Sequence, residues 1–244
     1  MKVHERIHMY HRLLRYRWFA EREEMRFVLG RRLSGGSVLD IGAHRGVYSY
    51  WMHRRFRDGT KVVAFEPQPE LVEHLTRFRQ AFRLNRMVIA PVGLSSHAGT
   101  LRMHRPRDHW GAATLDEFSF DNDQSEVFDV PVTSIDSYMA EHPELRPVRL
   151  IKCDVEYHEA KVLAGAETIL REDRPEMLVE WSTPRRAYRE RLYKMMQRLG
   201  YAIFQFEYGR LVPCTGAERH SPPSWELGAN YVFLPQEVAA SAAA

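Results

Sequence analysis

The sequence predicts an α/β fold: a mostly parallel sheet with helices on both faces and one antiparallel strand near the C-terminus. Three observations carry this expectation. Short apolar runs at 38–41, 61–65, 87–92, 148–153 and 177–181 alternate with longer segments whose apolar residues recur at helical spacing. The runs are mostly apolar, as parallel strands covered on both faces are. The last two runs, 202–206 and 230–234, have no helical segment between them, which lets one of them run antiparallel.

The elements follow in order. Residues 1 to about 32 read as helix, with Ile7, Tyr10, Leu14 and Trp18 on one face and Met25, Val28 and Leu29 continuing it; Ser34, Gly35 and Gly36 end it. A second helix is expected at 47–56. Pro69 opens a third, with Leu71, Leu75, Phe78 and Phe82 on one side, because the first helical turn does not use the N–H that proline lacks. The rhythm is interrupted between Gly99 and Pro147. There 101–103 and 127–132 are expected to pair as strands around a polar excursion at 104–126, and 135–141 to form a short helix. One helix is expected from Glu159 to Leu170. Another is capped by Thr183 with Pro184 in its first turn, presents Tyr188, Leu192, Met195 and Leu199, and stops at Gly200. The expected organisation is a helical extension at 1–34, a main domain at 35–236 with an insertion at about 99–147, and a disordered tail at 237–244.

Bulk composition narrows the function. The 244 residues are 44% hydrophobic, enough for one full core, and carry a formal net charge of only +3. A balance so near neutral gives no argument for nucleic-acid binding, and none is expected. Two cysteines, one of them Cys153 inside an apolar run, suit a reducing cytoplasm. No run of about 18 apolar residues predicts a membrane span, and the charged first 20 residues lack a signal core.

Three constellations carry chemistry. In VLDIGAHRG a strand ends at Ile41 and turns through Gly42, Ala43, His44, Arg45 and Gly46 into a helix. Ligands of open α/β sheets bind beyond the carboxyl ends of strands, and glycines there admit close backbone approach. The spacing is G-x-x-x-G, which differs from the dinucleotide pattern G-x-G-x-x-G, and alone it equally describes a structural turn. In VVAFEPQPE, Glu66 ends the next strand; a carboxylate there can accept hydrogen bonds from both hydroxyls of a ribose. In IKCDVEYHEA, Asp154, Glu156, His158 and Glu159 cluster beyond the next central strand. They suit a general base, a divalent cation, or caps for the following helix.

These segments, with VGLS at 92–95 and RPEMLVEW at 174–181, resemble the FkbM family of methyltransferases, in that family's order and spacing. The resemblance spans about 36–182, and NYVFLP at 230–235 looks like the family's last strand. It implies a class I methyltransferase, Rossmann-like fold and S-adenosylmethionine as donor, with a divalent metal allowed but not favoured. Gly42, Ala43, His44, Gly46, Tyr48 and Ser49 would surround the methionine end, and Asp40 would orient that loop. Glu66, Pro67 and Gln68 would take the ribose, Leu94 and Ser95 would lie near the adenine, and Asp154 would face the methyl group. The family usually has Asn at His44 and Gly at Tyr157, so the acceptor side is expected to be unusual.

The implied reaction is O-methylation of a hydroxyl on a sugar, glycan or natural product, with His158, Glu156 or Asp154 as the base and His109, Trp110 and Tyr157 near the acceptor. N-methylation of a peptide or amide, or nucleotide binding without turnover, are the alternatives. His104, Arg105 and Arg107 in the excursion also suit sugar contacts. The basic N-terminal helix with Trp18 suits an anionic membrane surface, packing on the catalytic domain, or a homodimer contact.

Overall fold

The computed structural model describes residues 1–108, 110–115, 125–181, 186–214 and 230–242, with side chains left aside at 186–189 and 241–242. Thr183, Pro184, His109, the prolines at 222 and 223, the side chain of Tyr188 and the excursion between 116 and 124 lie outside it.

Eight strands form the main sheet: β1 (Ser37–Ile41), β2 (Lys61–Phe65), β3 (Met87–Ala90), β7 (Val148–Cys153), β8 (Glu176–Glu180), β9 (Tyr201–Glu207), β10 (Arg210–Pro213) and β11 (Asn230–Pro235). Their order is β10-β9-β11-β8-β7-β1-β2-β3. The block from β8 to β3 is parallel, and β11 inserts antiparallel between β8 and β9, as expected. The edge strand β10 lies in the turn-rich stretch after β9, where no strand was expected, and pairs antiparallel to β9. The sheet is mostly parallel with helices on both faces, the α/β arrangement expected.

Alternate strand residues feed two cores. Leu39, Ile41, Val63, Phe65, Ile151 and Cys153 face one side, where α5 (Ile135–Glu141), α6 (Glu159–Ala164), α7 (Glu167–Glu172) and α8 (Arg186–Arg198) pack. Val38, Val62, Ala64, Leu150, Leu178 and Val232 face the other. That side is covered by α1 (Val3–Arg15), α2 (Arg22–Gly30), α3 (Val47–Arg55) and α4 (Pro69–Ala81). Because both faces are covered, the period-2 pattern of a one-sided strand disappears into continuous apolar runs. The insertion is a small sheet of its own, in which β6 (Ser125–Thr133) pairs antiparallel with β5 (Gly99–Pro106) and parallel with β4 (Gly93–Leu94).

Three expectations need correction. The helix at 159–170 is broken at Gly165, where a Cβ would lie 2.2 Å from the Ser95 carbonyl oxygen. The second half restarts as α7, whose Thr168 and Ile169 N–H groups donate to the Asp136 carboxylate at 2.9 and 3.0 Å. The tail is helical through α9 (Gln236–Ala242), held by Glu237 against Arg174 at 2.8 Å. The N-terminal helix is interrupted by a π-helical turn, Tyr16–Ala20; before it Met9 and Leu13 are buried rather than the expected Ile7, Tyr10 and Leu14, and after it the expected Met25 and Val28 are buried. Ile7, Leu14 and Trp18 remain 63%, 49% and 54% exposed. Among the described residues no helix is long and apolar enough to cross a membrane.

Candidate active site

The carboxyl ends of β1, β2, β7 and β8 open onto a cavity of about 580 Å³, within the range of small-molecule sites. The turn after β1 forms its floor. Gly42 and Ala43 donate their N–H groups to the Phe65 carbonyl at 3.1 and 3.0 Å, which ties the turn to β2. Gly42 has φ +74°, and a Cβ there would lie 1.8 Å from the Asp154 carbonyl oxygen. Gly46 caps α3 in the left-handed region, facing Leu75 and Phe78. Both glycines therefore serve close packing within the protein, and Gly46 does not line the cavity. His44 sits between them at φ +49°. Asn and His are the non-glycine residues that tolerate this conformation best, which accounts for either at this position.

Two buried carboxylates flank the turn. Asp40 Oδ2 accepts the Ser49 N–H at 2.8 Å and its hydroxyl at 2.6 Å, while Oδ1 is buried with no hydrogen-bond partner. Ser49 thus orients Asp40 from outside the cavity. Glu66 is 3% exposed. Its Oε2 accepts the His44 N–H at 2.9 Å and its Oε1 the Gln68 N–H at 3.0 Å. Burial raises its pKa to about 7 against these two bonds. Each oxygen keeps one lone-pair direction for a further donor.

Opposite lies a charged cluster that sequence reasoning largely missed. Lys152 is buried in β7 and donates to Asp154 at 2.9 Å, with its ammonium 5.0 Å from the centre of the Tyr48 ring. Burial would lower Lys152, but Asp154, Asp40 and Glu21 hold it above its ordinary value. Glu180, at the end of β8, is pushed up by burial and the Asp154 charge, which favours its protonated form beside Asp154. Burial would raise Asp154, yet Lys152 and the Glu180 hydrogen bond hold it low. Glu21 leaves the π-helical turn and accepts the Tyr48 hydroxyl at 2.5 Å. Such π-helical irregularities recur at functional sites. A lysine directly after the buried Leu150-Ile151 pair of β7 was the legible signal, since lysine is seldom buried unpaired.

Glu156 lines the same wall; burial and the Asp154 charge raise it to about 7. Ligand atoms of Asp154, Glu156 and Glu180 lie within 4.8 Å of one another. Lys152 places a positive charge beside this triad, 2.9 Å from Asp154.

The cavity brings together Asp40, Gly42, Ala43, His44, Tyr48, Glu66, Pro67, Gln68, Leu94, Trp110, Asp154 and Glu156. It leaves out Gly46, Ser49, Ser95, Tyr157 and His158. His158 is 1% exposed and lies 3.0 Å from the Ser95 hydroxyl, a contact that locks two loops together and keeps both residues from the cavity. His109 lies outside the described residues. Arg105 is not free for an acceptor: it is 5% exposed, bonded to Gln68, Glu70 and Glu126, and stacked on Trp110 and Phe128. It pins the insertion sheet to α4, so Trp110 walls the cavity beside Gln68, whose side-chain N–H donates to the Trp110 carbonyl at 3.3 Å.

Tyr157 has φ +77°, directly after Glu156 at φ +52°. A left-handed non-glycine residue costs about 1–2 kcal/mol, offset here by the flexibility that glycine adds to the unfolded chain, about 0.5–1 kcal/mol. The Tyr157→Gly variant is therefore expected to be as stable as the parent or up to about 1.5 kcal/mol more so. Denaturant unfolding checks this; a loss above about 1 kcal/mol would mean the ring contributes more than the strain costs.

Residues 40–203 match the family profile described as Methyltransferase FkbM domain. The structure resembles methyltransferase FkbM from Methylobacillus flagellatus KT with a TM-score of 0.51 at 16% identity. That match covers 83% of this chain, which spans only 44% of the other protein's length. Cofactor-bound Rv0187 from MTB is similar at a TM-score of 0.51 and 13% identity, over 89% of this chain and 80% of that one. At these identities the likeness is one of fold. No curated protein matches in sequence.

Proposed function

Because the chain belongs to the FkbM methyltransferase family, we propose that it transfers a methyl group from S-adenosylmethionine to a hydroxyl of a sugar, glycan or natural product. The observation that carries this reading is the Glu66 carboxylate at the end of β2, fixed by two N–H donors with one acceptor direction left on each oxygen. A ribose presents two adjacent hydroxyls, which suit that pair. The unpartnered Asp40 Oδ1 offers a buried acceptor for the ammonium of the donor's methionine end. Bound here, S-adenosylmethionine would supply a methyl group already activated on its sulfonium.

The protein's remaining task is to align the acceptor and remove its proton. Of the three expected bases, His158 is outside the cavity and Asp154 is engaged with Lys152 and Glu180. Glu156 lines the cavity with a pKa of about 7, which suits a general base at neutral pH. Thr114 fixes its backbone by donating its hydroxyl to the Glu156 carbonyl.

Glu156→Gln is expected to lower kcat by roughly 10²–10⁴-fold in a labelled-methyl assay with hydroxyl acceptors. The carboxylate is the basic form, so wild-type kcat rises with pH through about 7, and the variant loses that limb. A variant that keeps both rate and pH profile would remove Glu156 as the base.

A further inference from the structure

Beside the donor cavity a second groove of about 520 Å³ lies between α1 and α4. Arg12, Arg15, Arg45 and Arg77 line it together with four histidines. One carboxylate shares the wall: Glu5, which accepts the Lys2 N–H at 2.6 Å. Arg77 has an exposed partner in Glu73 at 3.3 Å. Arg12, Arg15 and Arg45 have no carboxylate partner among the described residues. Two nitrogens of the wall, Arg12 Nε and His74 Nε2, are buried without a hydrogen-bond partner. Burial and the charge of Arg12 also pull the Arg45 guanidinium below its ordinary value. Crowded guanidiniums with orphaned nitrogens are relieved by an anion with several acceptor oxygens, and the guanidinium fork matches phosphate in particular. The groove adjoins the donor cavity, with Arg12 and Arg45 lining both.

We propose that this groove binds a phosphate or pyrophosphate group of the methyl acceptor, so that a phosphorylated molecule presents its hydroxyl to Glu156 while its anion rests on Arg12, Arg15 and Arg45. The inference rests on the methyl-transfer reading for what the acceptor does, but not for whether the groove takes an anion. Two sources share this chemistry: a soluble sugar phosphate and a lipid-linked headgroup. The outward face of α1 and the turn after it exposes Val3, Ile7, Leu14, Trp18 and Phe19 by 49–80%. An apolar face flanked by cations is how a helix lies on an anionic lipid surface.

The test is calorimetric titration of the full chain with inorganic pyrophosphate and, separately, with S-adenosylhomocysteine. Wild type is expected to bind both. The Arg15→Gln/Arg77→Gln double variant, whose positions lie outside the donor cavity, is expected to lose at least about tenfold in pyrophosphate affinity and to keep its S-adenosylhomocysteine affinity. Wild type that binds S-adenosylhomocysteine but not pyrophosphate, or a double variant with undiminished pyrophosphate affinity, overturns the groove. Pyrophosphate binding without S-adenosylhomocysteine binding upholds the groove and overturns the donor site instead. Flotation separates the two sources. Binding to vesicles with phosphatidylglycerol but not to phosphatidylcholine alone, lost in Ile7→Asp/Leu14→Asp, assigns the phosphate to a lipid headgroup. Pyrophosphate binding without flotation assigns it to a soluble acceptor.

Discussion

Replacing Lys152 by Met is expected to destabilise the protein by about 3–5 kcal/mol, the usual cost of removing one partner of a buried ion pair. Lys152 is 5% exposed and its ammonium lies 2.9 Å from Asp154, with Asp40 and Glu21 acting on the same charge. Without it, these carboxylates face one another in a low-dielectric pocket. For a chain of this size each kcal/mol lowers Tm by about 2–4 °C, so calorimetry should read a fall of roughly 6–20 °C. The pH dependence follows from the directions of the shifts. Lys152 is raised above 10.5, so its contribution is present below that value and lost as pH rises through the folded value. Asp154 is lowered below 3.8, so its contribution is present above that value and lost as acid protonates it. The gap between parent and variant is therefore widest between these limits and closes outside them. A Tm change under about 2 °C at neutral pH would mean that Asp154 and Glu180 need no cation.

Replacing Glu66 by Ala is expected to weaken S-adenosylhomocysteine binding by about 10²–10⁴-fold, because two hydrogen bonds to a charged acceptor are worth roughly 1.5–3 kcal/mol each. The variant also orphans the N–H groups of His44 and Gln68, so its Tm must be measured alongside. Glu66→Gln separates the two effects, since an amide keeps one acceptor oxygen. With Glu66 near 7, wild-type affinity should rise as pH increases through that value, and Glu66→Gln should be insensitive to it. Equal affinity in the Ala variant would place the ribose elsewhere.

Much of the fold was legible because both faces of the sheet are covered, which leaves mostly apolar runs that fit a parallel arrangement. The breaks were not legible, because they depend on contacts distant in sequence. Gly165 interrupts a helix because the chain at Ser95 crosses it, and α7 restarts on a carboxylate from α5. In α1 helical spacing was right but the face was not: Met9 and Leu13 pack inward and the stripe through Ile7 and Leu14 stays outside, whereas Met25 and Val28 in α2 are buried as expected. In the site, acids at strand ends could be read one strand at a time, which located Glu66, Asp154 and Glu156. The cluster of Lys152, Glu180 and Glu21 is assembled from β7, β8 and the N-terminal turn, and its meaning appears only when they converge. His158 was misread because the segment after Asp154 turns it under Ser95 and away from the cavity.

The most direct test of a donor site on Glu66 is a crystal structure of this chain with S-adenosylhomocysteine. The expected result places both ribose hydroxyls within about 3 Å of the two Glu66 oxygens, with the ligand's ammonium toward Asp40 and its sulfur facing Glu156. A ligand bound elsewhere, or one whose ribose leaves Glu66 uncontacted, would contradict it.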